Sequence, residues 1–311
     1  MTAATNTDPH PRRPPARCPN CDCPPRERYR LRNGAPLLQC PRCRLAWWAW
    51  PEFEPAAFYD ESYFQSADAQ KGYDDYSALE PGVRRTARTR LVRVARLLQA
   101  GAGSPVAGGS DARPRSGAGW RLLELGCGTG CFLDEAARAG WIVEGVEVSR
   151  FAAARAAQRG LSVRCAPLEE YEPAPGAFDC VALWDVIEHL RDPFAALITA
   201  GRALRPGGVL ALSTGDVTSL CARLTRQYWH LFNLPEHLFF FSPAALAGAF
   251  DRAGCRMRCT TREVNWSPLA YLLERIAKPL GLSRVRPPAA IGATLLPATL
   301  FDVLGCYGVR E

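Results

Sequence analysis

Short apolar segments alternate with helical segments from Trp120 onward, and this alternation restricts the fold more than any other feature of the 311-residue sequence. Strands separated by helices pair in parallel, so the pattern predicts an α/β fold in which one sheet carries helices on both faces. We expect the Pro-Gly-Gly run at 206–208 to stop the third helix. The predicted strands are 121–125, 142–147, 162–165, 178–184, 209–213, 256–264 and 301–309, and the predicted helices are 132–139, 150–159 and 193–204.

Composition divides the chain into four parts. Residues 84–99 place apolar side chains at helical spacing against an Arg-rich face, which predicts an amphipathic helix. Residues 267–297 form an apolar insertion with several prolines, which favours short helices. The four parts are a disordered tail at 1–16, a cysteine-paired module at 17–50, a segment at 51–119 with a Tyr-rich lid, that helix and a Gly-rich linker, and the α/β domain at 120–311.

The positive charge of the chain is concentrated at its N-terminus. The net charge is +7, and the first 50 residues hold nine basic and three acidic residues, which leaves the rest nearly neutral. The N-terminus lacks the apolar core of a signal peptide, and the weakly polar stretch 289–301 is shorter than the roughly 20 residues that a membrane-spanning helix needs. We therefore expect a cytoplasmic protein without a transmembrane segment, whose 13 cysteines stay reduced. The oligomeric state is left open.

A glycine-rich run at 124–130, Glu-Leu-Gly-Cys-Gly-Thr-Gly, lies where the first predicted strand ends and a helix begins. Its glycines let the backbone bend sharply and approach a ligand closely. The dinucleotide pattern G-x-G-x-x-G fails here because Cys131 occupies its last position, and no Gly-Lys-Ser/Thr end of a Walker loop follows. Glu147 ends the second strand, in place to accept hydrogen bonds from both hydroxyls of a ribose. The pattern predicts a nucleotide-type cofactor.

These motifs, with the runs at 178–193 and 204–210, resemble the class I S-adenosylmethionine-dependent methyltransferases over about residues 120–264. The resemblance implies a Rossmann-like fold, S-adenosyl-L-methionine as the cofactor and methyl transfer as the reaction. It also implies that the loop glycines pack against the methionine part and the ribose, that Glu147 binds the ribose and that Asp185 lies beside the methionine end. The implied cofactor residues are Glu124, Gly126, Cys127, Gly128, Gly130, Glu147 and Asp185.

Two Cys-x-x-Cys pairs near the N-terminus have the spacing of a zinc ribbon. Each pair presents two thiolates to one ion, and two pairs complete a tetrahedron. A site of four thiolates has no open coordination position, so we expect the Zn²⁺ to be structural. Cys23 lies close enough in sequence to replace Cys21. The predicted ligands are Cys18, Cys21, Cys40 and Cys43.

Methyl transfer from a sulfonium also needs a group that removes the proton of the acceptor, and the sequence holds only four histidines. His189 follows the fourth predicted strand, at the sheet edge where ligands bind in folds of this kind. His237, preceded by Glu236, follows the fifth predicted strand and faces the same edge. Both histidines are therefore candidate catalytic residues.

The zinc module, the Tyr-rich segment, the methyltransferase core and the second Glu-His together are similar to the sugar C-methyltransferases that act on nucleotide-linked deoxysugars. This resemblance implies that His237 is the base, that Glu236 orients it and that Tyr76 takes part in catalysis. Those enzymes carry a further large C-terminal domain, which the 69 residues after Ser242 do not provide. We therefore expect the acceptor to be a sugar or related polar small molecule, with O-, N- and C-methylation all open.

Two other functions stay open from the sequence. In an RNA or DNA methyltransferase, the ribbon and its arginines would grip phosphates, with Trp47, Trp48 and Trp50 available for stacking. Against it, the fourth strand ends in the run Trp-Asp-Val-Ile at 184–187, which lacks the Asn/Asp-Pro-Pro-Tyr/Phe motif of many base methyltransferases, and we expect the three tryptophans to join the ribbon to the core. The other function is that of a non-catalytic binding protein. The intact cofactor loop and Glu147 argue against it, because neither would need to be kept in such a protein.

Overall fold

The computed structural model of the chain describes residues 15–48, 55–64, 76–101, 119–277 and 288–311. Nearly all of the predicted tail and of the Gly-rich linker lies outside them, as does Trp50. The strands are β1 (Arg26–Arg30), β2 (Pro36–Gln39), β3 (Ala46–Trp48), β4 (Arg121–Leu125), β5 (Ile142–Glu147), β6 (Val163–Cys165), β7 (Phe178–Trp184), β8 (Leu204–Gly215), β9 (Phe239–Phe240), β10 (Cys255–Arg262), β11 (Asn265–Pro268), β12 (Leu295–Ala298) and β13 (Val303–Arg310). The α-helices are α1 (Pro55–Phe58), α2 (Glu61–Phe64), α3 (Glu80–Gly101), α4 (Cys131–Arg138), α5 (Arg150–Gln158), α6 (Pro193–Ala203), α7 (Leu220–Thr225), α8 (Pro243–Arg252), α9 (Leu269–Ala277) and α10 (Ala289–Gly292). Short 3-10 helices lie at Tyr76–Leu79, Leu168–Glu170, Ile187–His189 and Arg226–Tyr228.

The central sheet has seven strands in the order β10-β13-β8-β7-β4-β5-β6. The five strands from β8 to β6 pair in parallel, whereas β13 pairs antiparallel with both β8 and β10. All seven predicted strands are present, and β4, β5 and β7 have the predicted bounds. The predicted α/β fold is confirmed, and the carboxyl ends of β4, β5 and β7 meet at one edge of the sheet.

Helices cover both faces of this sheet, and the strand side chains alternate between the two layers. In β4, Leu122 lies in a buried cluster with residues of α3, α4 and α5, whereas Leu123 lies in a second cluster with residues of α6 and α8. Parallel strands that are covered on both sides need apolar side chains on both faces. This requirement explains why these strands appear in the sequence as continuous apolar runs.

The junction between α6 and β8 differs from the sequence prediction. The helix predicted for 193–204 ends at Ala203, before the Pro-Gly-Gly run at 206–208 is reached. Strand β8 begins at the next residue, because Leu204 pairs with Phe178. The ladder becomes irregular at this point, and its next pair joins Cys180 to Val209. The three residues therefore form a bulge inside the strand, which corrects the prediction that they stop the helix.

The amphipathic helix is confirmed as α3, and the apolar insertion packs on it. The described part of the insertion holds two short helices, α9 and α10, as the prolines indicated, and also the antiparallel pair β11–β12, which the sequence did not indicate. A Cβ on Gly82 would lie 1.9 Å from the Trp266 carbonyl oxygen, so only glycine lets β11 approach α3 this closely. Within the described ranges, no helix has the length and apolarity that crossing a bilayer needs.

The N-terminal module forms a four-stranded antiparallel sheet whose last strand comes from the main domain. The order is β1-β2-β3-β9, with Ala46 opposite Phe240 and Trp47 opposite Phe239. Trp47 and Trp48 are 0% and 3% exposed, which confirms that they join the module to the core and leaves neither ring free to stack on a base.

Candidate active site

One cavity of about 430 Å³ opens at the carboxyl ends of β4, β5 and β7. Three of the predicted cofactor residues lie in its wall, namely Gly126, Glu147 and Asp185. The segment 55–64 adds aromatic side chains to the wall, and the turn after β7 adds His189. The topology thus brings the cofactor loop, an aromatic segment and a histidine to one place.

The glycine-rich loop reaches this cavity at Gly126. Gly126 has φ +73°, and a Cβ there would lie 2.6 Å from Val186 Cγ2. Gly130 has φ +79° and precedes α4, where a Cβ would lie 2.5 Å from the Leu161 side chain. Gly126 therefore keeps the loop against the cavity wall, whereas Gly130 permits close packing behind it.

Glu147 fixes the loop from the end of β5. Its Oε2 accepts a hydrogen bond from the Gly128 N–H at 2.8 Å, and its Oε1 accepts one from the Ser149 N–H at 2.8 Å. Burial raises the pKa of this carboxyl above its ordinary value. Each oxygen keeps a second lone pair, so the ionised side chain retains acceptor capacity for two hydroxyl groups of a ligand.

Glu124 and Cys127 lie behind the loop and outside the cavity wall. Glu124 is 3% exposed, and its Oε2 has no hydrogen-bond partner among the described residues. Burial raises the pKa of both groups well above their ordinary values. A buried carboxyl oxygen without a partner fits a ligand that carries a positive charge or donates a hydrogen bond nearby.

Asp185 is held in an unusual backbone conformation by a network that the sequence did not indicate. Its φ is +55°, its N–H bonds the Ser213 carbonyl at 3.0 Å, and its Oδ1 accepts the Ser213 hydroxyl at 2.9 Å. Arg90 of α3 donates to the same Ser213 Oγ at 3.1 Å and to Glu263 Oε2 at 2.9 Å. Arg90 and Glu263 are 8% and 5% exposed. This buried ion pair therefore supports the Asp185 side of the cavity.

His189 lies in the cavity wall and contacts the Tyr-rich segment. Its Nδ1 is 2.8 Å from the Tyr59 hydroxyl and 3.1 Å from the Glu236 carbonyl oxygen. A carbonyl can only accept, so the tautomer that bonds Glu236 has its proton on Nδ1 and a lone pair on Nε2, whereas the other tautomer accepts the Tyr59 hydroxyl at Nδ1. Burial lowers the pKa of His189 to about 4, which keeps the ring neutral at pH 7.

His237 packs behind His189 and is absent from the cavity wall. The two rings meet edge to face at 4.5 Å between centroids, and His237 is 8% exposed. Burial lowers its pKa well below the ordinary value, and burial raises the pKa of neighbouring Glu188 to about 8. Glu236 meets the site through its backbone carbonyl on His189. The structure thus brings both Glu-His pairs together, with His189 in the cavity wall and His237 on its far side from the cavity.

Tyr76 begins a short 3-10 helix, and its side chain lies outside the described part of the chain. The Tyr59 hydroxyl contacts the His189 ring. The sequence pattern identified the Tyr-rich segment as a lid, but nothing in that pattern separated Tyr59 from its neighbours. Only the packing of 55–64 against the turn after β7 does so.

The low pKa of His189 predicts a pH dependence of stability. The unfolded chain binds a proton on this ring below about pH 6.5, whereas the folded protein does not until about pH 4. Stability from His189 is therefore present above pH 6.5 and lost as the pH falls toward 4, by about 3 kcal/mol at about 1.4 kcal/mol per pKa unit. Urea unfolding of wild type and His189→Gln should show their stability difference shrinking by this amount. A constant difference would contradict the assigned cause.

The four predicted zinc ligands meet in one cluster. Their sulfur atoms all lie within 4.8 Å of one another, with Cys18 and Cys43 3.5 Å apart and Cys21 and Cys40 3.4 Å apart. A tetrahedron with Zn–S bonds of about 2.3 Å has edges of roughly 3.8 Å, so the donor set fits zinc. Cys23 is outside the cluster, although its carbonyl accepts from the Cys18 N–H.

The cysteine module contacts the histidine segment directly. Trp48 Nε1 donates to the His237 carbonyl at 2.8 Å, and the Ser242 hydroxyl donates to the Cys43 carbonyl at 2.5 Å. These bonds flank β9, the strand that completes the module's sheet. The module therefore holds the backbone that carries His237.

A family of methyltransferase domains matches residues 83–260 of the chain. The chain belongs to this family. The match confirms the resemblance to S-adenosylmethionine-dependent methyltransferases drawn from the glycine loop and Glu147. It begins beyond the cysteine cluster, so the zinc ribbon and the sugar C-methyltransferase resemblance stay predictions.

Relatives of this methyltransferase domain include two proteins named ubiquinone biosynthesis O-methyltransferase. The one from Caulobacter vibrioides is 31% identical over 159 residues, which cover 43% of this chain and 63% of that protein. The one from Ralstonia nicotianae is 31% identical over 166 residues, covering 49% and 69%. The chain thus spans less than two thirds of the length of the first relative.

Solved structures similar to the methyltransferase domain share less sequence. Magnesium protoporphyrin IX methyltransferase from Synechocystis, with bound S-adenosylhomocysteine, is 16% identical with a TM-score of 0.49 and covers 79% of this chain and 90% of its own. A possible histamine N-methyltransferase from Thermotoga maritima is 21% identical with a TM-score of 0.41 and covers 76% and 100%.

Proposed function

We propose that the protein transfers the methyl group of S-adenosylmethionine to a hydroxyl oxygen of a small organic molecule. The observation that carries this proposal is that one cavity holds Gly126, Glu147 and Asp185 together with the His189–Tyr59 pair. The relatives named O-methyltransferases support oxygen as the methylated atom.

The residues at the cavity fit S-adenosylmethionine, which supplies a methyl group already activated on a sulfonium. Glu147 would accept hydrogen bonds from the ribose hydroxyls, since it lines the cavity and each of its oxygens accepts one backbone N–H. Asp185 would lie beside the methionine part. Two buried polar atoms without partners among the described residues, Glu124 Oε2 and Trp184 Nε1, fit a polar cofactor in this place.

His189 is the group we propose for removing the acceptor's proton. In the tautomer whose Nδ1 donates to the Glu236 carbonyl, the neutral ring would present the lone pair of Nε2 to the acceptor. Tyr59 would hold the ring from the lid side, and His237 would position it from behind. The base role that the sequence suggested for His237 thus stays a competing proposal, which the variants in the Discussion separate.

The acceptor class follows from two different lines of support. The zinc module and second Glu-His support a sugar, including a nucleotide-linked one, whereas the Tyr59, Tyr63 and Phe64 rings in the wall and the names of the relatives support a planar phenol. Calorimetric titration with S-adenosylhomocysteine, repeated with nucleotide-sugars, dihydroxybenzoates and a short RNA, tests the sugar, the phenol and the nucleic acid as acceptors. Tighter cofactor binding with one class identifies it, and no cofactor binding by folded protein would overturn methyl transfer. The expected cytoplasmic location is a separate proposal, which cell fractionation tests.

Glu147→Gln should weaken S-adenosylhomocysteine binding by about 10–100-fold, because each lost hydrogen bond to a charged group contributes about 1.5–3 kcal/mol. Calorimetry gives the affinity directly. Glu172→Gln, which changes an exposed carboxylate beyond the 3-10 helix Leu168–Glu170, is the matched control and should bind normally. Equal affinities for wild type and Glu147→Gln would remove Glu147 from the cofactor site.

We also propose that Cys18, Cys21, Cys40 and Cys43 hold a structural zinc ion, which their sulfur geometry supports. Cys40→Ser should lose one equivalent of zinc and lower the melting temperature, because metal binding and folding are coupled in such modules. Cys23→Ser is the control, since its sulfur is outside the cluster, and should keep its zinc. Metal analysis that found full zinc in Cys40→Ser, or a loss only in Cys23→Ser, would refute this ligand set.

A further inference from the structure

One group of side chains that could hold a metal ion lies apart from both the cavity and the cysteine module. Cys221 of α7, His230 after the following 3-10 turn and Asp302 before β13 offer ligand atoms that all lie within 4.8 Å of one another. Cys221 and His230 are close in sequence, whereas Asp302 comes from a distant part of the chain. They meet because the Asp302 carbonyl accepts from the Asp216 N–H at the end of β8.

The His230–Asp302 distance matches an edge of a coordination tetrahedron, and the Cys221 sulfur lies within 4.8 Å of both. His230 Nδ1 lies 3.5 Å from Asp302 Oδ2, which is longer than an ordinary hydrogen bond. Zn–N and Zn–O bonds of about 2.0–2.2 Å give tetrahedral edges of roughly 3.3–3.5 Å. The Cys221 side chain also contacts the Asp302 carboxylate. The three donor atoms are therefore spaced for one ion.

The charge of Asp302 favours a cation here. Its side chain is 2% exposed, and among the described residues His230 is the only basic group within 4 Å of its carboxylate. Trp229 Nε1 donates to the same Oδ2 at 2.8 Å, a bond of the kind that orients a ligating carboxylate. A buried carboxylate with one neutral or weakly basic neighbour is stabilised by a bound cation.

The donor types select the class of metal. A thiolate together with an imidazole favours zinc and similar divalent transition ions over Mg²⁺ and Ca²⁺. His230 is 33% exposed, which gives an ion access from solvent and leaves one side of the group open. We propose that Cys221, His230 and Asp302 form a second site for a zinc-class divalent cation, with three protein ligands and a fourth position open to water.

Cobalt titration of the full-length protein, first given one equivalent of Zn²⁺ to fill the four-cysteine cluster, tests this site, because Co²⁺ bound to a thiolate absorbs in the near ultraviolet. Wild type should bind one added equivalent of Co²⁺ with an intensity that corresponds to one thiolate. Cys221→Ala and His230→Ala should each lose that signal, and Cys165→Ala, which removes an exposed cysteine elsewhere, should keep it. Circular dichroism checks that each variant is folded.

Three results would overturn the proposal. The first is a wild-type protein that binds no added Co²⁺. The second is a folded Cys221→Ala or His230→Ala protein that binds it as wild type does. The third is an absorbance that corresponds to four thiolates, which would mean that cobalt had displaced zinc from the Cys18–Cys43 cluster.

Discussion

His189→Ala is expected to lower the turnover number by about 10²–10⁴-fold, the range that a positioned general base supplies. The affinity for S-adenosylhomocysteine should stay close to that of wild type, because Glu147 and Asp185 keep their contacts. Single-turnover kinetics with the acceptor found by calorimetry measures the first quantity, and calorimetry measures the second. The effect is large because the His189 ring lies in the cavity wall and stays neutral at pH 7.

Two further variants separate His189 from its neighbours. Tyr59→Phe removes one hydrogen bond of about 1 kcal/mol, so turnover should fall only about five- to tenfold. His237→Ala should have an intermediate effect, because its ring supports His189 from behind. Normal turnover in His189→Ala combined with none in His237→Ala would return the base role to His237.

Arg90→Met is expected to destabilise the protein by about 1.5–3 kcal/mol, because it removes the closer of the two guanidinium groups at the buried Glu263 carboxylate and leaves Arg93 at 3.5 Å as its remaining cation. Urea unfolding measures this change. Cofactor affinity should fall as well, since Arg90 also holds Ser213, which accepts the Asp185 N–H and donates to its carboxylate. A loss of both stability and cofactor affinity would show that the buried Arg90–Glu263 pair contributes to both properties.

The controls for this prediction use the same helix. Arg88→Met changes a guanidinium whose side chain is 57% exposed, and should cost less than about 1 kcal/mol. The double variant Arg90→Met with Glu263→Met should recover much of the lost stability, because replacing both members of a buried pair leaves no unpaired charge. A single variant as stable as Arg88→Met would show that the pair contributes little.

Local features of the sequence were sufficient for the sheet and the cofactor loop. The strands β4 and β7 are buried on both faces, so the ends of their apolar segments mark the ends of the strands. The positive φ at Gly126 can be anticipated from a glycine that follows a strand. The Cys-x-x-Cys pairs are equally local. Each bends in the same way, with Asp22 and Arg44 in left-handed conformations directly after them.

The supporting contacts could not be predicted, because their partners are distant in sequence. In the sequence, Arg90 does not differ from the other arginines on the polar face of its helix. Its role depends on Ser213 in β8 and Glu263 after β10, which the fold places beside it. Likewise, the order of His189 and His237 depends on how the segment after β8 folds over the turn after β7. The two Glu-His motifs are alike in sequence, and only their packing decides which ring reaches the cavity.

The ladder between β3 and β9 joins two segments that leave the ribosome at very different times. Ala46 and Trp47 are synthesised long before Phe239 and Phe240, so the module waits with an open strand edge until most of the central sheet has been made. An unpaired edge is a surface on which a neighbouring chain can add a strand. Newly made chains are therefore most prone to associate with one another during that interval, and rapid closure by β9 protects them.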